Sequence, residues 1–385
     1  MARYTIPEPF IVNIPEAVLT DLRERLNRVR WPGEIPDSGW DYGANLAYIK
    51  ELVEYWQTRY DWRAQERQLN RWHHFRVTVA DQGLHFIHER GKGPNPLPLI
   101  IIHGWPGSFY EFMEIIGPLT DPAAYGGDPA DAFDLVIPSL PGYGFSDPTH
   151  ERGVNVSRIA DWFAVLMAEV LGYSRYGAQG GDWGAMVTSR LGFAYPQHLV
   201  GIHLNMVGVA PHPENRKNLS VAEQAWLKEM EAWRQEETGY QGIQGTKPQT
   251  LAYGLNDSPV GLCTWIIEKF RTWSDCEGDL ERSYTKDQLL TNVMLYWVTQ
   301  TINSSTRLYY EERHTPWRLG RNEKITVPTG VAAFPRELAR PPREWAERAY
   351  NIQRWTQMPA GGHFAALEKP HLLVEEIRAF FREFR

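Results

Sequence analysis

The first 74 residues carry apolar side chains at intervals of three or four, the spacing at which an amphipathic helix buries one face. Val18, Leu22 and Leu26 follow this spacing and predict one helix, and the same pattern predicts a second helix over residues 44–60. A Trp-Pro-Gly break separates the two stretches. Residues 1–74 are therefore interpreted as a helical N-terminal segment.

After this segment the apolar runs become short. Two alternating runs, residues 75–79 and 84–88, are separated by Asp-Gln-Gly and predict a β-hairpin. From residue 97 to about residue 210, apolar runs end in Gly-rich turns and are followed by helical stretches, and the same alternation returns after residue 312. Such alternation is typical of a mostly parallel sheet with helices on both faces, whose chemistry lies at the carboxyl ends of the strands.

Residues 211–312 interrupt the alternation. Their pattern is mostly helical and rich in Trp, Tyr and charged residues. A helical insertion late in a parallel sheet is best interpreted as a cap over the edge that carries the active site. The sequence thus predicts a helical segment (1–74), an α/β core (75–210 and 313–385) and a helical cap (211–312).

Composition narrows the classes of protein that fit. Of the 385 residues 43% are hydrophobic, which is enough for a packed core, and the net charge of −7 argues against a nucleic-acid or anionic-membrane partner. Cys263 and Cys276 provide neither a disulfide framework nor a CxxC metal site, so no metal site is expected. The sequence has no phosphate-cradling or nucleotide-binding fingerprint either, so no cofactor is expected. The chain start lacks the layout of a signal peptide, which predicts a cytoplasmic protein.

Residues 180–184, Gly-Gly-Asp-Trp-Gly, lie between a predicted strand and a predicted helix and have the form of a nucleophile elbow, with Asp182 at the usual serine position. A carboxylate that attacks a saturated carbon forms an ester, which water can hydrolyse. A serine would form an ether, which water does not readily cleave. The elbow therefore predicts an epoxide or an alkyl halide as the electrophile. The alternative is an ordinary turn in which Asp182 caps the next helix.

An elbow requires an acid and then a histidine later in the chain. His363 lies in a Gly-Gly-His-Phe loop before the last predicted helix and is the candidate base, because an imidazole with a pKa near 6.5 is largely neutral at pH 7. Glu337 follows the apolar run that ends at Phe334 and is the preferred acid, with Glu344 as the weaker choice. The preceding strand ends near Asn205, which is not a carboxylate.

Together these motifs resemble the epoxide hydrolases of the microsomal type, within the α/β-hydrolase superfamily. The resemblance extends over almost the whole chain and includes His-Gly-Trp-Pro-Gly-Ser at 103–108, Pro-Gly-Tyr-Gly-Phe-Ser at 141–146, the elbow, and Gly-Gly-His-Phe-Ala-Ala-Leu-Glu at 361–368. It implies an α/β-hydrolase fold with a helical cap. His103 in the first motif is interpreted as a residue that orders its loop.

The resemblance also implies roles for residues outside the triad. The backbone N–H groups of Trp105 and Trp183 would form the oxyanion hole. Tyr240 and Tyr309 in the cap match the two ring-opening tyrosines of the family, although Tyr310 beside the second leaves that assignment open. A phenol with a pKa near 10 is a neutral donor that can protonate the opening epoxide oxygen.

The sequence therefore predicts a cofactor-independent epoxide hydrolase that converts a small apolar epoxide and water into a vicinal diol through an aspartyl ester. The resemblance implies a soluble microbial form without a membrane anchor. Whether its role is detoxification, catabolism or biosynthesis stays open, as does the oligomeric state, for which a homodimer is one alternative. A haloalkane dehalogenase, which shares the Asp-Trp elbow, and a non-catalytic ligand-binding hydrolase fold are the alternative functions.

Overall fold

One nine-stranded sheet runs through the part of the chain that the computed structural model describes, residues 4–385. Its strands in chain order are β1 (Glu8–Phe10), β2 (His74–Val79), β3 (Gln82–Glu89), β4 (Leu97–Ile102), β5 (Phe133–Pro138), β6 (Tyr176–Gly180), β7 (Leu199–Leu204), β8 (Ile325–Ala333) and β9 (Tyr350–Gln357). Across the sheet the order is β1-β2-β3-β5-β4-β6-β7-β8-β9. Strands β1, β2, β3 and β5 pair antiparallel, and all pairs from β5 to β9 are parallel.

Three helices lie between β1 and β2 in the chain, and the others flank the sheet or cover one edge of it. In chain order they are α1 (Glu16–Leu26), α2 (Leu46–Thr58), α3 (Trp62–Leu69), α4 (Met113–Thr120), α5 (Val156–Val165), α6 (Asp182–Ala194), α7 (Val221–Glu237), α8 (Gly239–Gln244), α9 (Pro248–Leu255), α10 (Pro259–Trp273), α11 (Lys286–Thr299), α12 (Ile302–His314), α13 (Arg343–Glu347), α14 (Ala365–Glu368) and α15 (Pro370–Phe381). A π-helical turn, Leu166–Val170, continues α5. Within residues 4–385, none of these helices has both the length and the apolar character that crossing a membrane requires.

The central strands are buried on both faces. Residues 99–102 in β4 and 135–137 in β5 are fully buried, because helices cover the sheet on either side. Helix α15 packs its apolar stripe of Leu373, Ile377 and Phe381 into this core. The predicted mostly parallel sheet with flanking helices is thereby confirmed.

The N-terminal segment differs from the sequence prediction in one respect. It was expected to be helical, but β1 pairs antiparallel with β2, with Glu8 opposite Arg76. Pro9 lacks an N–H donor and is tolerated because β1 is an edge strand. A three-residue strand that contains a proline carries no alternating pattern, so the sequence pattern did not predict β1 in front of the helices.

The cap helices lie against the loops that follow β4 and β5. Tyr143, in the loop after β5, donates a hydrogen bond through its hydroxyl to the carbonyl oxygen of Ser305 in α12 (3.0 Å). Ser304 in α12 donates to the carbonyl oxygen of Gly142 (2.6 Å). These contacts place α12 over the carboxyl ends of the parallel strands, the edge at which chemistry is expected.

Candidate active site

Asp182 lies in a sharp turn between β6 and α6. Its φ of 49° is in the left-handed region, which a non-glycine residue adopts only where the surrounding structure enforces it. The neighbouring glycines permit this turn. A Cβ on Gly180 would lie 2.3 Å from the carbonyl carbon of Gly184, and a Cβ on Gly184 would lie 1.8 Å from the carbonyl oxygen of Ile102. The turn therefore has the close backbone packing of a nucleophile elbow.

The loop after β4 contacts this carboxylate. The backbone N–H of Trp105 donates a hydrogen bond to Oδ1 of Asp182 (2.8 Å). The loop can approach so closely because Gly104 has no side chain. A Cβ at this position would lie only 2.1 Å from the same oxygen. The N–H of Trp183 belongs to the first turn of α6, where backbone donors have no acceptor within the helix. Of the two N–H groups predicted for the oxyanion hole, that of Trp105 therefore contacts the carboxylate, and that of Trp183 belongs to the residue that follows Asp182 in the chain.

His103 holds this loop through both ring nitrogens. Its Nε2 accepts a hydrogen bond from the N–H of Leu140 (3.1 Å), so the proton lies on Nδ1, which donates to the carbonyl oxygen of Gly104 (3.0 Å). Burial lowers the pKa of His103 to about 4. A neutral imidazole with both nitrogens engaged has the contacts of a residue that orders the loop.

His363 connects Asp182 to Glu337. Its Nδ1–H donates to Oε1 of Glu337 (2.6 Å), and its Nε2 lies 3.4 Å from Oδ2 of Asp182. Burial by itself lowers the pKa of His363, but the charge of Glu337 and the contact with Asp182 outweigh it, so that the pKa lies well above 6.5. Glu344, the weaker choice for the acid, is exposed and accepts a hydrogen bond from Ser220. The structure thus brings Glu337 to His363 and leaves Glu344 outside the site.

Two buried phenols lie near Asp182. Tyr240 in α8 and Tyr309 in α12 have ring centroids 5.9 Å apart, and Tyr309 packs edge-on against Trp183 (4.8 Å). Burial, together with the charge of Asp182, raises the pKa of both phenols. Tyr310, by contrast, is 37% exposed. Of the two adjacent tyrosines, Tyr309 is therefore the one that faces the site.

A glutamine sets the hydrogen-bonding role of Tyr240. Nε2 of Gln241 donates to the phenol oxygen of Tyr240 (2.8 Å), which leaves the phenol's own hydrogen free to donate elsewhere. The ring of Tyr240 also stacks on Trp105 (5.4 Å) and contacts Trp273 (5.2 Å), whose ring meets that of His363 (5.2 Å). The site is thus lined by aromatic rings, which favours apolar substituents on a bound molecule.

Helix α11 holds the loop that bears the Trp105 donor. Nδ2 of Asn292 donates to the carbonyl oxygen of Pro106 (2.8 Å), and the hydroxyl of Tyr296 donates to that of Gly107 (2.6 Å). Ser108 completes the contact by donating to Oδ1 of Asn292 (2.9 Å). Asn292 and Tyr296 are four residues apart and share one helix face. In the sequence, the only sign of this contact between helix and loop is that two polar residues stand four positions apart in a mostly apolar helix.

The end of α10 holds the loop that bears His363. The backbone N–H of His363 donates to the carbonyl oxygen of Trp273 (3.0 Å), and the N–H of Gly361 donates to Oδ2 of Asp275 (2.8 Å). Glu368 in turn accepts from the N–H of Asp275 (2.7 Å). The cap therefore positions both the oxyanion loop and the histidine loop, and sequence reasoning missed both sets of contacts.

Comparisons with known proteins show the family to which the chain belongs. Residues 7–112 match the family described as "Epoxide hydrolase N terminus", and residues 98–370 match the family described as "alpha/beta hydrolase fold". The chain is 38% identical to Epoxide hydrolase 1 of Oryctolagus cuniculus, with 97% of this chain and 88% of that protein covered.

Solved structures of epoxide hydrolases also superimpose on this chain. The crystal structure of juvenile hormone epoxide hydrolase from the silkworm Bombyx mori superimposes with a TM-score of 0.89 at 34% identity, covering 99% of this chain and 95% of that one. The structure of Aspergillus niger epoxide hydrolase superimposes with a TM-score of 0.87 at 30% identity, covering 99% and 97%. The resemblance found in the sequence motifs is confirmed: the chain belongs to the epoxide hydrolase family and has the α/β-hydrolase fold.

Proposed function

We propose that the protein hydrolyses a small apolar epoxide to a vicinal diol, with Asp182 as the nucleophile and His363 as the base. The observation that carries the proposal is the position of one carboxylate. Asp182 accepts a hydrogen bond from a backbone donor through Oδ1 and faces His363 through Oδ2. The two phenols lie close enough for the charge of Asp182 to raise their pKa.

In the first step, Oδ2 of Asp182 attacks an oxirane carbon while the N–H of Trp105 holds Oδ1. An ester bond forms, the ring C–O bond breaks, and the released oxygen takes a proton from Tyr240 or Tyr309. Neutral phenols suit this task because they bring no charge into a site lined by aromatic rings. Gln241 favours this proton transfer because its side chain donates to the oxygen of Tyr240, which leaves the hydrogen of that hydroxyl for the released epoxide oxygen.

In the second step, His363 takes a proton from water, and the resulting hydroxide attacks the ester carbonyl carbon. The N–H groups of Trp105 and Trp183 stabilise the oxyanion on Oδ1. When the intermediate collapses, the departing diol oxygen receives the proton from His363. Asp182 is regenerated as a carboxylic acid. When this acid ionises, its proton returns to the phenolate. Glu337 keeps Nδ1 protonated, so that Nε2 acts as the base.

The charge of Asp182 differs between the two steps, and this changes the pKa of His363. In the free enzyme the carboxylates of Glu337 and Asp182 both raise its pKa. Esterification neutralises Asp182 and removes one of these effects. The pKa of His363 then falls, which favours the neutral imidazole that the hydrolytic step needs.

A panel of aliphatic and aryl epoxides tests the proposal when diol formation is assayed with the wild type, Asp182→Ala and His363→Gln. We expect diol from the wild type alone. Intact-protein mass spectrometry of His363→Gln should show an adduct with the mass of the epoxide, and adding Asp182→Ala should abolish it. Substantial turnover by Asp182→Ala would contradict the proposal. Halide release from alkyl halides, without diol from any epoxide, would favour a haloalkane dehalogenase instead.

The other expectations from the sequence stay predictions. They are a cytoplasmic location, a homodimer as one alternative, the absence of a nucleic-acid partner, and independence of cofactors and metals. Over residues 4–385 there is no group of three or more His, Cys, Asp or Glu side chains that could hold a metal ion. Light scattering after gel filtration tests the oligomeric state, and activity after dialysis against a chelator tests the metal requirement.

A further inference from the structure

A lysine of the cap is buried beside one of the two phenols near Asp182. Lys269 lies near the end of α10, and only 7% of the residue is exposed. Its Nζ lies over the ring of Tyr240, 5.0 Å from the ring centre, and 5.8 Å from the ring centre of Trp273. Lysine is seldom buried to this extent. The structure therefore places a positive charge against the face of a proposed proton donor.

Two carboxylates accompany the buried ammonium group. Nζ of Lys269 lies 2.6 Å from Oε2 of Glu268 and 3.9 Å from Oε2 of Glu237, the last residue of α7. Pairing of this kind offsets the cost of removing an ammonium group from water. Because the second contact joins α10 to α7, a purely structural role for the lysine is the alternative to a role in the reaction.

The surroundings of Tyr240 oppose its ionisation. Burial is the largest effect that raises the pKa of this phenol, and the charges of Asp182 and Glu237 add to it, whereas Gln241 and Tyr309 have the opposite effect. When Tyr240 gives its proton to the opening epoxide oxygen, a negative charge forms on the phenol oxygen and spreads into the ring. A cation over that ring offsets the unfavourable surroundings during this step.

The contact between lysine and ring becomes stronger as the phenol loses its proton. A neutral ring attracts a cation only through its quadrupole. A phenolate ring carries negative charge, and two opposite charges attract each other strongly where water is excluded. Only an interaction that is stronger in the transition state than in the ground state raises the rate of a step. The position of Lys269 has this property for ring opening.

We propose that Lys269 acts through Tyr240, because its ammonium group stabilises the phenolate that Tyr240 becomes when the epoxide ring opens. The inference rests on the proposed function, in which Asp182 attacks the oxirane carbon. The O–H bond of Tyr240 breaks and its proton moves to the epoxide oxygen, while Lys269 keeps all its protons. Lys269 is thus a positioning residue that supports the acid and does not itself react with the epoxide.

Rapid mixing with an epoxide that the wild type hydrolyses tests this role. Tryptophan fluorescence follows ester formation, and quenched-flow mass spectrometry follows ester decay. Lys269→Met removes the charge and should slow ester formation about 5- to 30-fold, the effect of losing a buried cation–π contact. Ester decay should stay within about twofold of the wild type. Lys269→Arg keeps the charge and should form the ester within about threefold of the wild-type rate.

A second lysine of the cap provides the matched control. Nζ of Lys286 in α11 contacts Glu51 (2.8 Å) and Glu281 (2.6 Å) and lies over the ring of Tyr55 in α2, 5.9 Å from its centre. It therefore has the same kinds of partner as Lys269, but its tyrosine has no part in the proposed reaction. Lys286→Met should leave both rates unchanged.

Two further variants distinguish support of the acid from packing. Added to Tyr240→Phe, Lys269→Met should slow ester formation no further, because the hydroxyl through which the lysine acts is already gone. Glu237→Gln removes a charge that raises the pKa of Tyr240, so ester formation should become faster, by up to about threefold. This variant tests the same electrostatic effect with Lys269 in place. Melting temperatures of all variants are recorded beside the rates.

Three outcomes would overturn the inference. Ester formation at the wild-type rate in Lys269→Met would show that the charge has no effect on ring opening. Equal slowing by Lys269→Met with and without the Tyr240 hydroxyl would assign the lysine to packing alone. Slowing by Glu237→Gln as large as that by Lys269→Met would mean that the link between α7 and α10 carries the effect. If the wild type itself forms no ester, the proposed function fails instead, and the fluorescence phase reports this separately.

Discussion

Nε2 of His363 lies 3.4 Å from Oδ2 of Asp182, so the base and the nucleophile are in contact before any substrate binds. This contact links the charge of one residue to the pKa of the other. As long as Asp182 is ionised, it supports the protonated imidazole. Once Asp182 is esterified, that support is lost, and only Glu337 still raises the pKa of His363.

The first prediction concerns this link. Because the carboxylates raise the pKa of His363, we expect an NMR titration of ¹³C-histidine-labelled protein to give a value above 6.5 in the wild type. In Asp182→Asn, which imitates the neutral ester, the value should be lower. Spectra of His363→Gln assign the resonance. An unchanged or higher pKa in Asp182→Asn would refute the proposed link between ester formation and the base.

The second prediction separates the two adjacent tyrosines. Tyr309→Phe removes a buried hydroxyl near Asp182 and should slow ester formation about 10- to 100-fold, within the usual range for an acid that protonates a leaving oxygen. Tyr310→Phe changes an exposed hydroxyl and should leave the rate unaltered. Rapid-mixing fluorescence at saturating epoxide measures both. If Tyr310→Phe slows ester formation and Tyr309→Phe does not, the ring-opening role belongs to Tyr310 and its assignment to Tyr309 is wrong.

The third prediction concerns a histidine pair away from the site. Nδ1 of His74 lies 2.9 Å from Nε2 of His85, and Nε2–H of His74 donates to the carbonyl oxygen of Leu69 (2.9 Å). Both rings are therefore neutral, with His85 donating to His74 and its Nδ1 accepting from Ser139 (2.8 Å). Burial lowers the pKa of both histidines.

The lowered pKa values of His74 and His85 determine how the free energy of unfolding depends on pH. The unfolded chain binds protons near pH 6.5, but the folded chain does so only at lower pH. The stability that the pair contributes is complete above pH 6.5 and is lost as the pH falls towards the folded pKa. We expect the free energy of unfolding in urea to drop between pH 7.5 and pH 5, and to drop by about 1–2 kcal/mol less in His74→Gln. An equal drop in both proteins would contradict this account.

Local motifs explain why so much of the site could be predicted. The elbow, the His363 loop and the strand ends are defined by residues adjacent in sequence, and the chain order of the three triad positions restricts their pairing. The proximity of Glu337 to His363 required only that β8 and β9 end at the same edge of a parallel sheet. The choice between Glu337 and Glu344 could therefore be made from the position of a strand end.

Contacts that depend on packing could not be predicted in the same way. Strand β1 forms only because β2, more than sixty residues later, offers an edge. Asn292 reaches Pro106 only because α11 packs on the loop after β4. Neither of these relations leaves a periodic or motif-like pattern in the sequence.

The central claim is that an ester forms on Asp182 and that water then attacks its carbonyl carbon. A single turnover in H₂¹⁸O, with enzyme in excess over epoxide, tests this most directly when the peptide that contains Asp182 and the released diol are both analysed by mass spectrometry. The account predicts ¹⁸O in the Asp182 carboxylate and none in the first diol released. A labelled diol together with an unlabelled Asp182 would show that water attacks the epoxide itself, and would contradict the account.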